Sequence, residues 1–409
     1  MQFFFLTPVV PYPSFGGADI RAWNIVQALT RLGDVAVFGL SRKIGEHPPI
    51  ERVTMWRNAG KHAHRDVGRG HQMRWLTNPQ WRPSDPYFDT DVDVELRAAL
   101  EDQRPDVIVT DHLYSGGYLD ALDHYRATAN KPVIVIHNSH NLEVDIVRQI
   151  ASTERSIGAR VARKTLAART KSLEADMVNF ADALWVCSDD DLHLFDTEYQ
   201  HGKPTVVVPN VVDVDTYDPT SAAHLSRTKA EPKNVIFPAS FAWPPNIVAA
   251  AFLVDEVLPK LAGDVRIVLA GSGASDDLIA SVANEPRAAL TGFVADMRTH
   301  LRQADAMMAP LFEGGGTRLK ALEAFAAGIP LIATRKAVEG LAVEDEVHLL
   351  LAETPAEFAS ALQRLDDEHL RSRLVTNGRQ LVEREYSVTN VETAVRLTLS
   401  QLHAEQVVG

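Results

Sequence analysis

The chain is almost without cysteine: Cys187 is the one thiol in 409 residues. An internal disulfide is therefore excluded, which fits a protein of a reducing, cytoplasmic compartment. Cys187 lies in the apolar run ALWVCS and reads as a buried structural thiol. Long hydrophobic stretches are missing as well; no run approaches the roughly 18 apolar residues of a membrane-spanning helix. The first ten residues are apolar but lack the basic start of a signal peptide and lead into prolines, so they read as a strand. Cations are outnumbered, 41 Lys and Arg against 54 Asp and Glu, for a net charge of −13. That balance argues against nucleic acid as a partner, and any phosphate ligand has to be captured by a local basic cluster. The three-glycine dinucleotide fingerprint, internal repeats and low-complexity tracts are also missing. The acidic groups Asp89-x-Asp91, Asp189-Asp190-Asp191 and Asp213-x-Asp215 are joined by no convergent histidine. They read as caps and turns, so no metal site is expected.

What is present is an alternation of buried strands and helices. Gln2 to Thr7, Val35 to Leu40, Asp106 to Thr110, Pro132 to Ile136 and Ala183 to Ser188 read as strands of one parallel sheet. Ala18 to Leu32 reads as a helix spaced through Ile20, Trp23, Gln27 and Ala28, with Gly16 and Gly17 at its start. Residues 42 to 90 read as irregular and rich in aromatics, with Trp56, Trp75, Trp81, Tyr87 and Phe88; loops at the C-terminal edge of a parallel sheet commonly carry substrate contacts. A polar stretch from Ser221 to Lys233 reads as a linker. Beyond it Asn234 to Ala239, Val265 to Ala270, Ala288 to Thr291, Ala306 to Leu311, Leu331 to Thr334 and Val347 to Leu351 alternate with helices. The expected fold class is α/β, with two doubly wound, Rossmann-like domains. The expected boundaries are 1–220, 221–385 and a last helical segment over 386–409.

The stretch 306–334 carries the most chemistry. An apolar strand ends at Leu311, and Gly314, Gly315 and Gly316 follow. A helix is expected from near Thr317, with Gly328 as its C-terminal stop and Pro330 after it. A strand, a glycine loop and a helix start point backbone N–H groups at an anion. Arg318 and Lys320 are placed in the first helical turn, where the helix dipole disfavours cations; a bound polyanion would account for both. Glu323 falls within about 60° of Leu319 and Ala326, on the edge of the apolar stripe, where a carboxylate needs a partner such as a ribose diol. The plain alternative is a Lys320–Glu323 surface pair.

A second charge pattern is a run of six basic residues without an acid: Arg155, Arg160, Arg163, Lys164, Arg169 and Lys171. On a wheel Arg160, Arg163, Lys164 and Lys171 share a face. A solvated face is the plain reading, and a peripheral contact with an anionic membrane through residues 155–171 is the sharper one.

GGGTRLKALEAFAAGIPLIAT, followed by Val338-Glu339-Gly340-Leu341, resembles the donor-sugar motif of glycosyltransferase family 4, the retaining enzymes of GT-B fold, in a branch that carries GGGTRLK. The resemblance implies that Gly315, Gly316, Thr317, Arg318 and Lys320 hold a donor diphosphate and that Glu323 binds the nucleotide ribose. The family's other glutamate falls here on Gly315. His140-Asn141-Leu142-Glu143 is similar to the family's HN-x-E motif, which places His140 against donor or acceptor at an interdomain cleft. By the same resemblance Gly16 and Gly17 lie against the donor phosphates and acceptor, and the turn at Gly292-Phe293 frames the base. VVVPNVVDVD resembles a PNGVD segment with Val211 in place of its glycine, and the last helix is expected to cross back onto the first domain. His137, Trp75 and Trp81 are the acceptor-side candidates.

The function expected is a retaining glycosyltransferase that moves a sugar from a nucleotide-diphosphate sugar to an acceptor hydroxyl. The acceptor would be a sugar, a lipid-linked molecule or a small molecule, in polysaccharide, glycolipid or glycoside biosynthesis. No cofactor is expected, the nucleotide sugar being a substrate. The alternatives are a GT-B-fold sugar-nucleotide epimerase and a nucleotide-sugar-binding protein without turnover.

Overall fold

The structure, a computed structural model, describes residues 1–12, 17–40, 48, 50–59, 78, 81–153, 156–218, 233–313 and 318–408. The chain divides into two compact units, one of Met1–Pro209 with Val388–Gly409, the other of Asn210–Gly314 with Arg318–Ser387.

The first unit is built on β1 (Gln2–Thr7), α1 (Gly17–Thr30), β2 (Asp34–Gly39), β3 (Val53–Asn58), α2 (Thr90–Gln103), β4 (Val107–Asp111), α3 (Leu119–Thr128), β5 (Ile134–Asn138), α4 (Glu143–Thr153), α5 (Ile157–Phe180), β6 (Ala183–Val186), α6 (Asp189–Tyr199) and β7 (Thr205–Val207). Its seven strands run in the order β3-β2-β1-β4-β5-β6-β7, and every pair is parallel. A parallel sheet covered on both faces needs strands that are apolar throughout, and Phe3, Phe4, Phe5 and Leu6 are fully buried. The strand order reverses between β1 and β4, which opens a crevice beyond the carboxyl ends of those strands.

The second unit contains β8 (Lys233–Pro238), α7 (Pro244–Ala251), β9 (Val265–Ala270), α8 (Asp276–Ala283), β10 (Ala288–Leu290), α9 (Met297–Arg302), β11 (Ala306–Ala309), α10 (Leu319–Ala327), β12 (Leu331–Ala333), β13 (Leu350–Leu351), α11 (Pro355–Arg364) and α12 (Glu368–Glu385). The sheet is again parallel, in the order β10-β9-β8-β11-β12-β13, and its order reverses between β8 and β11. Helix α11 begins with a full capping box, Thr354 and Glu357 each closing on the other's backbone. The last helix, α13 (Val388–Val408), belongs to the first unit, where Trp185 Nε1 donates to Thr398 Oγ1 at 2.8 Å.

Several expectations need correction. Residues 53–58 form the edge strand β3, not an irregular segment. The buried face of α1 runs through Arg21, Ala22, Ile25, Val26 and Leu29, while Ile20, Trp23 and Gln27 are only half-buried. Cys187 is half-exposed at a strand end, its thiol donating to the carbonyl of His140 at 3.1 Å. Asp89 and Ser188 cap α2 and α6, as acidic and hydroxylic residues do. The linker expected from Ser221 to Lys233 lies outside the described residues except for Lys233, which opens β8.

Candidate functional site

In the first unit polar side chains converge at the crevice between β1 and β4. Thr7 ends β1, Asp111 ends β4 and Asn138 ends β5. The Asp111 carboxylate accepts from His140 Nε2 at 2.7 Å, Asn138 Nδ2 at 2.7 Å and Thr7 Oγ1 at 2.9 Å. Arg21, reaching in from α1, donates to Asn138 Oδ1 at 2.8 Å and to the Val208 carbonyl at 2.7 Å. Asp111, His140, Asn138 and Arg21 are all buried. Burial alone would raise the Asp111 pKa, but His140, His112 and Asn138 outweigh it and hold the group below the usual carboxylate range. The imidazole of His140 is thereby fixed in orientation.

Beside this network lies a half-buried wall. His112 adopts φ +64, a strained conformation for a non-glycine residue, and its Nε2 is 3.5 Å from Glu143 Oε1. Its ring stacks on Tyr114 at 4.4 Å, and Tyr114 stacks on Tyr87 at 4.0 Å. Burial pushes Glu143 up to about 7. Glu174, on α5, closes the start of α4 by accepting from the backbone N–H groups of Glu143 and Val144 and from Tyr199 Oη. Burial pushes it, too, up to about 7, against those three donors.

In the second unit β11 borders the crevice between β8 and β11, and α10 is the next helix in the chain. Gly314, Gly315, Gly316 and Thr317 lie outside the described residues, as do Gly16 and Trp75. Arg318 is not within the helix, as expected, but immediately before it, at φ +51. Its guanidinium is held by Glu339, Nε on the carbonyl at 3.0 Å and Nη2 on Oε2 at 2.6 Å. Lys336 Nζ meets the same Oε2 at 2.6 Å, so one carboxylate faces two cations. Lys320 and Glu323 are half-buried in the first turns of α10. The Lys320 ammonium lies 5.8 Å from the centre of the Phe237 ring. Burial lowers its pKa, with Arg318 acting the same way and Glu323 against it. Burial raises that of Glu323, against Lys320 and Tyr217. Tyr217 Oη donates to Glu323 Oε1 at 3.3 Å, so the carboxylate's partner in this structure is a phenol. Arg298 grips Asp296 at 2.7 and 3.0 Å, and its charge reaches Tyr217.

The loops after β8, β9 and β10 are joined by backbone. Phe241 N donates to the Ser272 carbonyl at 2.8 Å, and Gly271 bridges Gly292. Gly271 has φ +148, and a Cβ there would stand 1.8 Å from the Ala239 carbonyl oxygen, so only glycine fits. Phe293, next to Gly292, is 65 % exposed. Gly17 opens α1. Trp81 is half-buried. His137 is enclosed in β5, with Nδ1 3.1 Å from Thr110 Oγ1, and burial lowers its pKa to about 4. Sequence reasoning missed Asp111, Arg21, His112, Tyr217, Lys336 and Arg298. Asp111 could have been found as an acid ending an apolar strand; Tyr217 and Arg21 have no local signal.

Two family models match the chain: "Glycosyltransferase Family 4" over residues 15–216 and "Glycosyl transferases group 1" over residues 232–368. Among solved structures, a sucrose-phosphate synthase from Thermosynechococcus elongatus aligns over 99 % of this chain and 100 % of its own, with 20 % identity and a TM-score of 0.70. The HepE protein of Anabaena, in complex with UDP and glucose, aligns over 98 % and 100 %, with 16 % identity and a TM-score of 0.68. An α,α-trehalose 6-phosphate synthase from Burkholderia multivorans aligns over 100 % and 98 %, with 14 % identity and a TM-score of 0.65. No curated protein sequence matches the chain.

Proposed function

The chain is a glycosyltransferase of GT-B fold, and from that premise we propose that it transfers a sugar, with retention, from a nucleoside-diphosphate sugar to a hydroxyl of a carbohydrate acceptor. The observation that carries the reading is the placement of Lys320 and Glu323 on one turn of α10, both half-buried, with Lys320 over the Phe237 ring and Glu323 held by Tyr217. A half-buried cation stabilises charge growing on a leaving diphosphate more than a fully exposed one does. Glu323 would take the ribose hydroxyls, with Tyr217 holding its other contact. Arg318 and Lys336 share the Glu339 carboxylate, which would set both cations near the diphosphate. The solved HepE complexes with UDP and glucose and with UDP-glucose support a UDP-sugar as donor.

The reaction breaks the bond between the sugar's C1 and the diphosphate oxygen and forms one from C1 to the acceptor oxygen; the acceptor's proton passes to the departing phosphate. The motif's similarity to retaining enzymes supports the same-face course. His140, oriented by Asp111, is assigned to contact the sugar or acceptor, and His137 to support that network from within the sheet.

The test is incubation with UDP-glucose, UDP-N-acetylglucosamine and GDP-mannose, with and without a mixture of mono- and disaccharides. Nucleotide release and the anomeric configuration of the product are read by NMR. Acceptor-dependent release with the donor's α configuration kept is expected, and Lys320→Met lowers kcat by about 10²- to 10³-fold. A β-linked product would overturn retention, and an unaltered kcat in the variant would overturn the role of Lys320.

A further inference from the structure

The basic run that the donor site leaves unused lies on the outside of α5. Ile157 is 77 % and Val161 60 % exposed, and Ile150, on the neighbouring α4, is 37 % exposed. Arg160, Lys164, Ala168 and Lys171 are exposed as well. At 100° per residue, Arg160, Lys171, Lys164, Ile157, Ala168 and Val161 fall in that angular order within an arc of about 100°. The cations line one side of the arc and the aliphatic groups the other. Arg163, expected on this face, is half-buried instead, and Lys171 is paired with Glu198, which Arg148 also holds. From residue 156 to 173 there is no acidic residue, in a chain whose net charge is −13.

We propose that this face of α5 is a docking surface for a bilayer that carries anionic headgroups. Two chemical features select that occupant. Branched aliphatic side chains left in water gain by entering the acyl boundary of a membrane, where a soluble polyanion offers them nothing. Long cationic side chains beside them reach back to the phosphates while their stems stay in the apolar layer. The helix is interfacial rather than spanning: among the described residues no helix is long and apolar enough to cross a membrane. Its apolar strip is narrow, so binding is reversible and needs the charge as well as the aliphatic groups.

The experiment is sedimentation of the full chain with vesicles of phosphatidylcholine containing 30 % phosphatidylglycerol, against vesicles of phosphatidylcholine alone, at low and at roughly physiological salt. Binding to the anionic vesicles is expected to exceed that to neutral ones and to fall with salt. It should weaken about fivefold for each cation removed in Arg160→Gln and Lys164→Gln. It should weaken about tenfold or more in the double variant Ile157→Ser, Val161→Ser. These positions are exposed, and an unchanged melting temperature and unchanged UDP affinity verify the fold of each variant. Equal binding to both vesicle types, or anionic binding that the serine variant leaves intact, would overturn the proposal. So would tight binding of dextran sulfate that only the glutamine variants lose, which would identify a soluble polyanion. A wild-type dimer in gel filtration that the serine variant splits would overturn it in favour of a second copy of this chain. No outcome depends on turnover, so failure here is distinguishable from failure of the transferase reading.

Discussion

Glu174 is a carboxylate at 1 % exposure whose contacts are two backbone N–H groups and a phenol. Those donors favour the charged form, but desolvation is the larger effect and lifts the group from 4.5 to about 7. The sign follows from linkage. Between these values the folded chain binds a proton that the unfolded chain has lost, so stability is greatest below about pH 4.5 and falls as the pH rises to about 7. The span is worth on the order of 3 kcal/mol. His137, pushed down to about 4, acts in the opposite direction between pH 4 and 6.5. Comparison of wild type with Glu174→Gln isolates the one group: the fall in melting temperature from pH 5 to pH 8 should be smaller in the variant. Superimposable profiles would contradict the assignment. At this scale Glu323 was legible as a carboxylate out of place on an apolar stripe. Its partner Tyr217, 106 positions earlier, was not, because a contact across the sequence leaves no mark on periodicity.

Helix α10 shows what one element can and cannot announce. Its end was readable: Gly328 adopts φ +68 and closes the helix on the Ala324 and Phe325 carbonyls, as a glycine followed by proline implies. Its start was misjudged by the placement of Arg318 within the first turn. A non-glycine residue at φ +51 is a tertiary outcome, tied here to Glu339. The helix is positioned by α12, and at their contact Gly378 is pressed against the Phe325 ring. A Cβ at 378 would stand 2.6 Å from a ring carbon. Gly378→Ala should therefore cost about 1–3 kcal/mol in urea unfolding and weaken nucleotide binding by shifting Glu323. A variant as stable as wild type would show that the two helices separate without penalty. Most strands were found to within one or two residues because burial on both faces makes them continuously apolar; the last was begun three residues early, at Val347 instead of Leu350, and the short β7 was not read as a strand. Another that was missed, β3, has the half-buried pattern of a sheet edge, and its flanks are rich in arginine, histidine and proline.

For the molecule as a whole, two doubly wound parallel sheets were expected from the alternation of elements, and two are present. The order of strands within each was not readable, since parallel pairing joins segments dozens of residues apart. Yet that order locates the chemistry: Thr7, Asp111 and Asn138 gather where the first sheet reverses, and α10 begins beside the reversal of the second. Two glycosyltransferase family models match the chain, one to each half. The donor-side assignment is the claim on which the proposed chemistry rests. Its most direct test is calorimetric titration of UDP, GDP and ADP into the wild-type chain and into Glu323→Ala. One nucleotide should bind the wild type, and the variant should bind it about ten- to a hundredfold more weakly, the worth of hydrogen bonds to a charged group. Equal affinity in the two proteins would contradict the account.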